Sequence, residues 1–421
     1  MTGEALLLIA IIFFLMALRQ PVMVLLGAGA LFSYVIWNDG VARYLIYDIW
    51  EAVNQETLLA IPLFILAGAI MSKGTIAKRL IDLAVAATRP VPGGLAVATV
   101  LSCAGFAAIS GSAAVTLLAV GSIMYRALVD NGYSKEFAIG ALCSGGVLGI
   151  IIPPSIPLIL YGVMTETSIT DLFKAGLGPA LVLIAILGVY ALVMNFNKRM
   201  GDWSLAEVGL SVRRSVFALL VPIAILGGIY GGIFTATEAA AVAVFIALVV
   251  EVVIHRDLGP KDLWGVTMET SKLLGSLFPV LAIAVSINIF LTFEQTPQAI
   301  VAGMEGVLQN QAQFLLGANL LMLIVGMVID IGSAVLILSP LLLPIAEAQG
   351  VDPVHFGIIM IVNLGIGYLT PPLGLNLIVA MAAFKESFWT VCKAVLPFIA
   401  LMLFGLMIIT FNPGIALALV G

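Results

Sequence analysis

Charge is what this sequence has least of. Only 10% of its 421 residues are Asp, Glu, Lys or Arg, whereas a soluble domain carries about 25%. Hydrophobic residues make up 62% of the chain, and its mean hydropathy is +1.20. A helix needs about 20 mainly apolar residues to cross the hydrocarbon core, and the chain contains many such runs. A soluble protein is therefore excluded, and we expect an all-α polytopic membrane protein embedded in a lipid bilayer.

Histidine and cysteine are almost as scarce. His255 and His355 lie 100 positions apart and are assigned no metal, and the three cysteines lie in or beside apolar runs without metal-type spacing. The motifs GxSxG and HExxH and a Gly-x-x-x-x-Gly-Lys-Ser/Thr phosphate loop are also missing. The sequence thus predicts neither an enzyme nor an ATP-driven pump, and we expect no organic cofactor and no nucleic-acid partner.

Two stretches in different halves of the chain share one plan, a tip of small residues followed by a hydrophobic span that Pro-Pro interrupts. The tips are Ile109–Ala113 and Asp330–Ala334, and the breaks are Gly149–Pro154 and Gly367–Pro372. The tips lie 221 positions apart (332 minus 111) and the breaks 218 apart (371 minus 153). Interrupted segments at matching positions of two halves mark the binding site of many secondary transporters. This pattern predicts a membrane carrier with an internal repeat.

Apolar runs predict ten membrane spans near residues 5–18, 22–37, 57–72, 134–161, 173–196, 215–233, 236–254, 274–293, 354–382 and 392–412. Two further apolar pairs, 93–109 with 112–128 and 311–329 with 332–348, are each split by a tip and predict re-entrant hairpins. Five crossings per half is an odd number, so the second half is expected to be an inverted structural repeat of the first.

Basic residues give an independent prediction of orientation. This topology places 16 of the 18 Lys and Arg residues on one side, leaving only Arg43 and Lys174 on the other. Lys and Arg accumulate in cytoplasmic loops, so both termini are expected outside the cytoplasm. On the outer side, residues 39–56 have helical apolar spacing and predict a helix lying in the interface. A similar stretch, residues 257–272, precedes the corresponding span of the second half.

The hairpin tips and breaks carry the chemistry that such a carrier needs. Where half-helices end at membrane depth, free N–H groups suit an anionic substrate and free carbonyls suit a hard cation such as Na⁺. Pro153-Pro154 and Pro371-Pro372 expose carbonyls near Gly149 and Gly367. Hydroxyl groups that can complete an oxygen shell without adding charge belong to Ser110, Ser112, Ser333 and Thr370.

Four further polar residues have both a functional and a structural interpretation. Asp330 is an acid at a hairpin tip, either a functional carboxylate or the N-cap of a helix beginning near Gly332. Glu238 favours a structural role in the first turn of a helix capped by Thr237. Asn363 and Asn376 flank the second break, where an amide can bind substrate or bridge helices. The small polar side chains proposed to bind substrate are those of Ser112, Asp330, Ser333, Thr370 and Asn376.

The segment Gly227–Ala241 reads GGIYGGIFTATEAAA, and it resembles the large membrane subunit of a TRAP (tripartite ATP-independent periplasmic) transporter. In that family the run commonly reads GIYGGIFTPTEAAA, so Ala236 replaces the usual proline. The two Pro-Pro breaks also match, and the similarity extends over essentially the whole chain. On this basis the chain is identified as a permease subunit of the inner membrane.

The resemblance implies a sodium-coupled importer that works by an elevator motion. Scaffold helices would lie in 1–72 and 198–293, while 73–197 and 294–421 would each contain an arm, a hairpin, a broken helix and a closing helix. It also implies a separate small membrane subunit, a periplasmic substrate-binding protein and a small organic-acid substrate such as a C4-dicarboxylate, a 2-oxo acid or sialic acid. By motif position, two Na⁺ sites are implied, one at Ser110, Gly111, Ser112, Gly149 and Pro153, and the other at Gly332, Ser333, Gly367 and Thr370.

Other transport classes share part of this pattern. A self-sufficient ion-coupled carrier of the wider divalent-anion superfamily has the same inverted hairpins and is distinguished by transport without partners. A channel would show ohmic flux instead of turnover with a fixed sodium stoichiometry. An intramembrane hydrolase using Ser112 or Ser333 is disfavoured because no histidine lies near either tip.

Overall fold

The computed structural model describes residues 3–18, 20–36, 42–199, 201–202, 204–304 and 310–420, and within these ranges it contains helices but no strand. The first part of the chain forms α1 Gly3–Ala17, α2 Val22–Ile36, α3 Ala42–Val53, α4 Ala60–Lys73, α5 Ile76–Thr88, α6 Gly94–Ser110, α7 Ala113–Asp130, α8 Lys135–Val147, α9 Ile156–Thr165 and α10 Ile169–Met194. The second part forms α11 Leu205–Tyr230, α12 Ala236–Leu248, α13 Pro260–Phe293, α14 Thr296–Met304, α15 Gln311–Gly326, α16 Ile331–Ala348, α17 Pro353–Gly367, α18 Leu375–Phe384, α19 Phe388–Phe411 and α20 Pro413–Leu417.

The all-helical prediction is confirmed for the part of the chain that the structure describes. Eight of its helical segments are long and apolar enough to cross a membrane by length and composition, and six shorter apolar helices accompany them. Arg19, which entered the count of basic residues, and residues 39–41 of the expected interfacial helix lie outside the described ranges. The rest of that amphipathic stretch forms α3, a helix separate from α2 and α4.

Both predicted hairpins form, each from two consecutive helices that pack on each other. Helices α6 and α7 are joined by Gly111, in the left-handed region at φ 62°, and by extended Ser112. Helices α15 and α16 are joined by residues 327–330, and Asp330 is the N-cap of α16. The second turn therefore lies earlier in the chain than the predicted tip, because Ile331–Ala334 already belongs to the first turn of α16.

Both predicted breaks interrupt a helix. Helix α8 ends in a short 3₁₀ segment, Leu148–Ile150, and α9 begins only at Ile156. Helix α17 ends at Gly367 and α18 begins at Leu375. Proline lacks a backbone N–H and clashes with the preceding turn, so the two Pro-Pro pairs end the helices before them. The breaks place non-helical backbone beside the hairpin turns.

Two local predictions were wrong. Residues 260–272 of the second amphipathic stretch and the span 274–293 form one 34-residue helix, α13, since no helix breaker separates Lys272 from the span. Helix α12 is capped by Thr235 instead of Thr237: the Glu238 N–H donates to Thr235 Oγ1, and the Thr235 N–H donates to the Glu238 carboxylate. The predicted structural role of Glu238 is confirmed, because this reciprocal pair is a capping box.

Helix packing brings the two halves of the chain together around the breaks. Helix α9 packs on α16, α7 packs on α18, and α8 packs on α19. Helices α4 and α13 pack on each other, and α4 also contacts α6 at the first hairpin turn. At that contact a Cβ atom on Gly68 would lie 3.1 Å from the Ser110 carbonyl oxygen. The glycine thus lets α4 approach the turn closely, and a larger residue there would push the Ser110 carbonyl away by a few tenths of an ångström.

Candidate functional site

The turns of both hairpins face one cavity of about 510 Å³. The first turn contributes Gly111 and Ser112, and the second contributes Asp330 together with the first turn of α16. The start of α9, Tyr368 from the second break, Pro21–Met23 and the middle of α13 complete the lining. A volume of this size is typical of a small-molecule site. The predicted tips are therefore brought together, although they lie more than two hundred residues apart in the chain.

Buried oxygen atoms converge at the first turn. Ser110 Oγ lies 2.6 Å from Thr116 Oγ1 and donates to the Ser112 carbonyl oxygen at 3.4 Å. Ser110 is 3% exposed and Thr116 is fully buried. Gly149 backs this cluster, because a Cβ atom there would lie 2.5 Å from both the Ser112 carbonyl oxygen and Thr116 Oγ1. Ser110, Ser112 and Gly149 were predicted to share a site, and the structure does bring them together.

The first turn is also tied to the break that follows it. The Ile156 N–H donates to the Gly111 carbonyl oxygen at 3.5 Å, and a Cβ atom on Gly111 would lie 2.9 Å from the Pro154 carbonyl oxygen. Pro153 lies in the buried segment between the 3₁₀ turn and α9 and faces Gly176 of α10. The backbone of the first break is thus held against the hairpin turn.

Polar groups at the second turn are mostly engaged with one another. Asp330 Oδ2 accepts the Ser333 N–H at 2.9 Å, and Tyr368 Oη accepts the Ile331 N–H at 2.7 Å. Thr370 Oγ1 donates to the Ile366 carbonyl oxygen at 2.9 Å. The carboxylate of Asp330 makes the cap that was one of its two interpretations, and its residue is also exposed to the cavity.

Gly332, Gly367 and the two asparagines have distinct surroundings. Gly332 lies in the cavity wall, and a Cβ atom on Gly367 would lie 2.6 Å from the backbone of Gly326. The Asn363 amide donates to Asn319 Oδ1 at 2.7 Å, which bridges α17 and α15. The Asn376 amide is fully buried and donates to a carbonyl of α8 at 3.4 Å. Neither asparagine lines the cavity.

The helix ends around the cavity differ in their capping. Helix α16 is capped by Asp330 and α9 by the Ser155 hydroxyl, but the Ser112 side chain makes no capping bond to α7. The first N–H groups of α7, which form the positive end of its helix dipole, therefore face the cavity without a capping side chain. Among the described residues, no Lys, Arg or His lines this cavity. Its electropositive feature is thus a helix end instead of a basic side chain.

Sequence reasoning missed Thr116 and Tyr368. Thr116 follows Ser112 by one helical turn, so the two share a face of α7, and this spacing is the signal that could have found it. Tyr368 was treated only as part of the break, and its bond to Ile331 depends on a contact between distant segments.

Comparison with known proteins gives one consistent answer. The family model described as "Tripartite ATP-independent periplasmic transporter, DctM component" matches residues 9–415. The C4-dicarboxylate TRAP transporter large permease protein DctM of Pseudomonas aeruginosa is 40% identical over 397 residues, which cover 94% of this chain and 93% of that protein. The ectoine TRAP transporter large permease protein TeaC of Halomonas elongata is 34% identical over 413 residues and 96% of each chain.

Two further comparisons extend this result. The isethionate TRAP transporter permease protein DctMQ of Oleidesulfovibrio alaskensis is 37% identical over 405 residues, which cover 95% of this chain and 64% of that protein. Among solved structures, the YdaH transporter of Alcanivorax borkumensis has the same fold, with a TM-score of 0.64 and 12% identity over 91% of both chains. The chain belongs to the DctM family, the large permease component of the tripartite ATP-independent periplasmic transporters, and is a multi-pass membrane protein.

Proposed function

We propose that this permease imports a small organic acid together with Na⁺, and that both bind at the hairpin turns. The observation that carries this proposal is the common cavity, which places the uncapped N-terminus of α7 beside a cluster of buried oxygens. At the turn of the first hairpin, the start of α7 thus offers N–H donors, and the side chains around it offer oxygen acceptors. A carrier needs both kinds of group close together to couple an anion to a cation.

The substrate carboxylate binds at the start of α7. The N–H groups of Ala113 and Ala114 lie at this uncapped end, and both residues line the cavity. Uncapped helix N-termini bind anions through such donors and through the helix dipole. Ser112 and Ser333 add hydroxyl groups to the same cavity. Asp330 repels a carboxylate placed near it, so it orients the substrate towards the first hairpin and attracts the coupling cation.

Sodium binds to the oxygen cluster formed by Ser110, Ser112 and Thr116 next to Gly149. Hard cations prefer oxygen ligands, and these oxygens are neutral, so a singly charged ion suits them. A second sodium site at Gly332 and Ser333, with Gly367 and Thr370, is proposed by the same logic of turn and break. In the structure the Thr370 hydroxyl donates to the carbonyl of Ile366 and not to another group of this second site.

We propose that the two halves form an inverted repeat and that transport uses an elevator motion, and matching helix caps in the two halves support the repeat. Helices α9 and α18 both end at a left-handed residue, Glu166 and Lys385, and these lie 219 positions apart (385 minus 166). The next helices are capped by Ser168 and Ser387, which have the same separation (387 minus 168). In the proposed orientation both termini are periplasmic, and Pro21–Met23, which line the cavity, lie on the cytoplasmic side of the inner membrane.

The substrate class and the partners follow from the relatives. Their names specify a C4-dicarboxylate, isethionate and ectoine, so a small organic acid is the proposed class for this chain, with 2-oxo acids and sialic acid as further members. A periplasmic binding protein delivers the substrate, and a small membrane subunit covers part of the apolar surface. Exposed large side chains available for such contacts include Ile46, Tyr47 and Trp50 of α3.

Reconstitution tests the proposal. Liposomes containing this permease with its small subunit, supplied with the cognate binding protein outside, should take up a C4-dicarboxylate when Na⁺ is higher outside, and should need no ATP. Uptake that is unchanged when K⁺ replaces Na⁺ would refute sodium coupling. Full uptake by the permease alone would instead favour a self-sufficient anion carrier.

A further inference from the structure

A second, smaller cavity lies behind the first hairpin turn. It measures about 180 Å³ and lies between the turn and two helices that do not belong to the hairpins, α4 and α13. Its polar side chains are those of Ser110 and Ser112 from the turn and Glu269 and Thr270 from α13. Ser110 therefore belongs both to this cavity and to the oxygen cluster described above.

Two groups in this cavity have unused bonding capacity. Thr270 is 6% exposed, and its hydroxyl has no hydrogen-bond partner among the residues that the structure describes. Thr267, one turn earlier on the same helix, shows the ordinary alternative, because its hydroxyl donates to the Leu263 carbonyl at 2.9 Å. Glu269 is exposed, lines the cavity and makes no ion pair or hydrogen bond with any other described residue. Of these two groups only the Thr270 hydroxyl is buried, and a buried polar group without a partner points to a missing ligand.

The size and the charge of the cavity select the ligand. One water occupies about 30 Å³ in the liquid, so 180 Å³ holds about six waters, or one hydrated ion. Pockets for drug-sized ligands measure about 300–1,000 Å³, so this cavity lies below that range. The lining includes a carboxylate and three hydroxyl-bearing side chains but no basic side chain among the described residues. Oxygen ligands with a single negative charge suit a hard monovalent cation.

We infer that Glu269 and Thr270 form a separate exit site for sodium, which receives the ion when it leaves the oxygen cluster at the first turn. This inference rests on the proposed sodium coupling. Because Ser110 lines both places, the ion keeps one oxygen ligand while it moves between them. The site lies towards the end of α13 that begins at Pro260, and the distribution of basic residues assigns this end to the cytoplasm.

Inhibition of substrate uptake by Na⁺ inside the liposomes tests whether this exit site exists. Liposomes containing the reconstituted complex are preloaded with graded Na⁺, the membrane potential is clamped, and initial uptake is driven by the binding protein outside, so that only correctly oriented molecules contribute. In the wild type, internal Na⁺ should inhibit by occupying the exit site. Glu269→Gln and Thr270→Val should each raise the half-inhibitory internal Na⁺ concentration about tenfold, the effect of losing one good ligand. The half-saturating external Na⁺ concentration should stay within about twofold of the wild type, which also shows that the variants fold.

Matched variants complete the design. Thr270→Ser keeps a hydroxyl and should behave as the wild type, as should Thr267→Val, whose hydroxyl is already bonded, and Glu136→Gln, an exposed acid elsewhere. Unchanged internal inhibition in both Glu269→Gln and Thr270→Val would overturn the exit site while leaving sodium coupling intact. Equal shifts of internal and external sodium dependence would place Glu269 in the main site and also overturn it. If uptake by the wild type does not depend on Na⁺, the proposed sodium-coupled import is itself refuted.

Discussion

Replacing Gly149 with alanine is the sharpest test of the proposed sodium site at Ser110, Ser112 and Thr116. The added Cβ atom would lie 2.5 Å from the Ser112 carbonyl oxygen and from Thr116 Oγ1, whereas ordinary contact begins at 3.4 Å. The two oxygens must therefore each move away from the new Cβ atom by about 0.9 Å (3.4 minus 2.5). Metal ligands tolerate displacements of only about 0.2 Å. The substitution should thus disrupt the geometry of the cluster without removing any of its oxygens.

The expected magnitude follows from the cost of overpacking. An extra methyl group in a well-packed interior typically costs about 1–3 kcal/mol. If this cost acts on the sodium-bound state, the half-saturating Na⁺ concentration rises between about fivefold and about a hundredfold. The assay is initial uptake by the reconstituted complex over a series of external Na⁺ concentrations, with thermal melting in the presence and absence of Na⁺ as a second reading.

Gly105→Ala is the matched control. Gly105 lies on α6 of the same hairpin, and a Cβ atom there would have no other atom within 4 Å. Alanine in a helix is favoured over glycine by about 0.5–1 kcal/mol, so this variant should fold and transport normally. If Gly149→Ala melts like the wild type and keeps the same half-saturating Na⁺ concentration, the cluster at Ser112 and Thr116 is not a sodium site.

Three further predictions concern other groups. Thr116→Val should raise the half-saturating Na⁺ concentration about tenfold, whereas Thr116→Ser should not, and equal values in uptake titrations would exclude the hydroxyl as a ligand. Asp330→Ala should lower the melting temperature by removing a cap worth about 1 kcal/mol, while Asp330→Asn should preserve it, and both should slow uptake; normal uptake by Asp330→Asn would reduce this residue to a cap. The hydrogen bond from Lys135 lowers the pKa of Glu386 from its ordinary value, so the pair stabilises the fold at pH 7 and loses this effect as pH falls through the lowered pKa. Glu386→Gln should therefore destabilise the fold slightly at pH 7, by under about 1 kcal/mol, and lower its melting temperature. The difference from the wild type should shrink at acid pH. An equal difference at pH 7 and at acid pH would contradict a stabilising ion pair between Lys135 and Glu386.

The hairpins and breaks could be predicted from sequence because their signals are local. Each Pro-Pro pair, at 153–154 and 371–372, removes two successive N–H donors and ends a helix, whereas a single proline such as Pro179 stays inside α10. Gly111 supplies the left-handed turn that other residues rarely adopt. The capping box of Thr235 and Glu238 was equally available, since a threonine followed three residues later by glutamate is its signature. Placing the cap at Thr237 overlooked that spacing.

The remaining features depend on contacts between distant segments. The second turn lies at 327–330 because α16 starts directly after its Asp330 cap, and the small residues that follow look equally suited to a turn. Gly149 gains its importance only from the approach of Ser112 and Thr116, more than thirty positions earlier. The environment of Thr270 likewise arises from the packing of α13 against the first hairpin turn. No periodicity or composition encodes such distances.

Simultaneous measurement of sodium and substrate entry tests the central claim most directly. Liposomes containing the reconstituted complex are given radioactive Na⁺ and a differently labelled C4-dicarboxylate together with the binding protein, and both labels are counted in the same vesicles. The account predicts that substrate stimulates Na⁺ entry at a fixed ratio, and that both fluxes fall together in Thr116→Val at limiting Na⁺. Substrate entry without accompanying Na⁺ entry would contradict it.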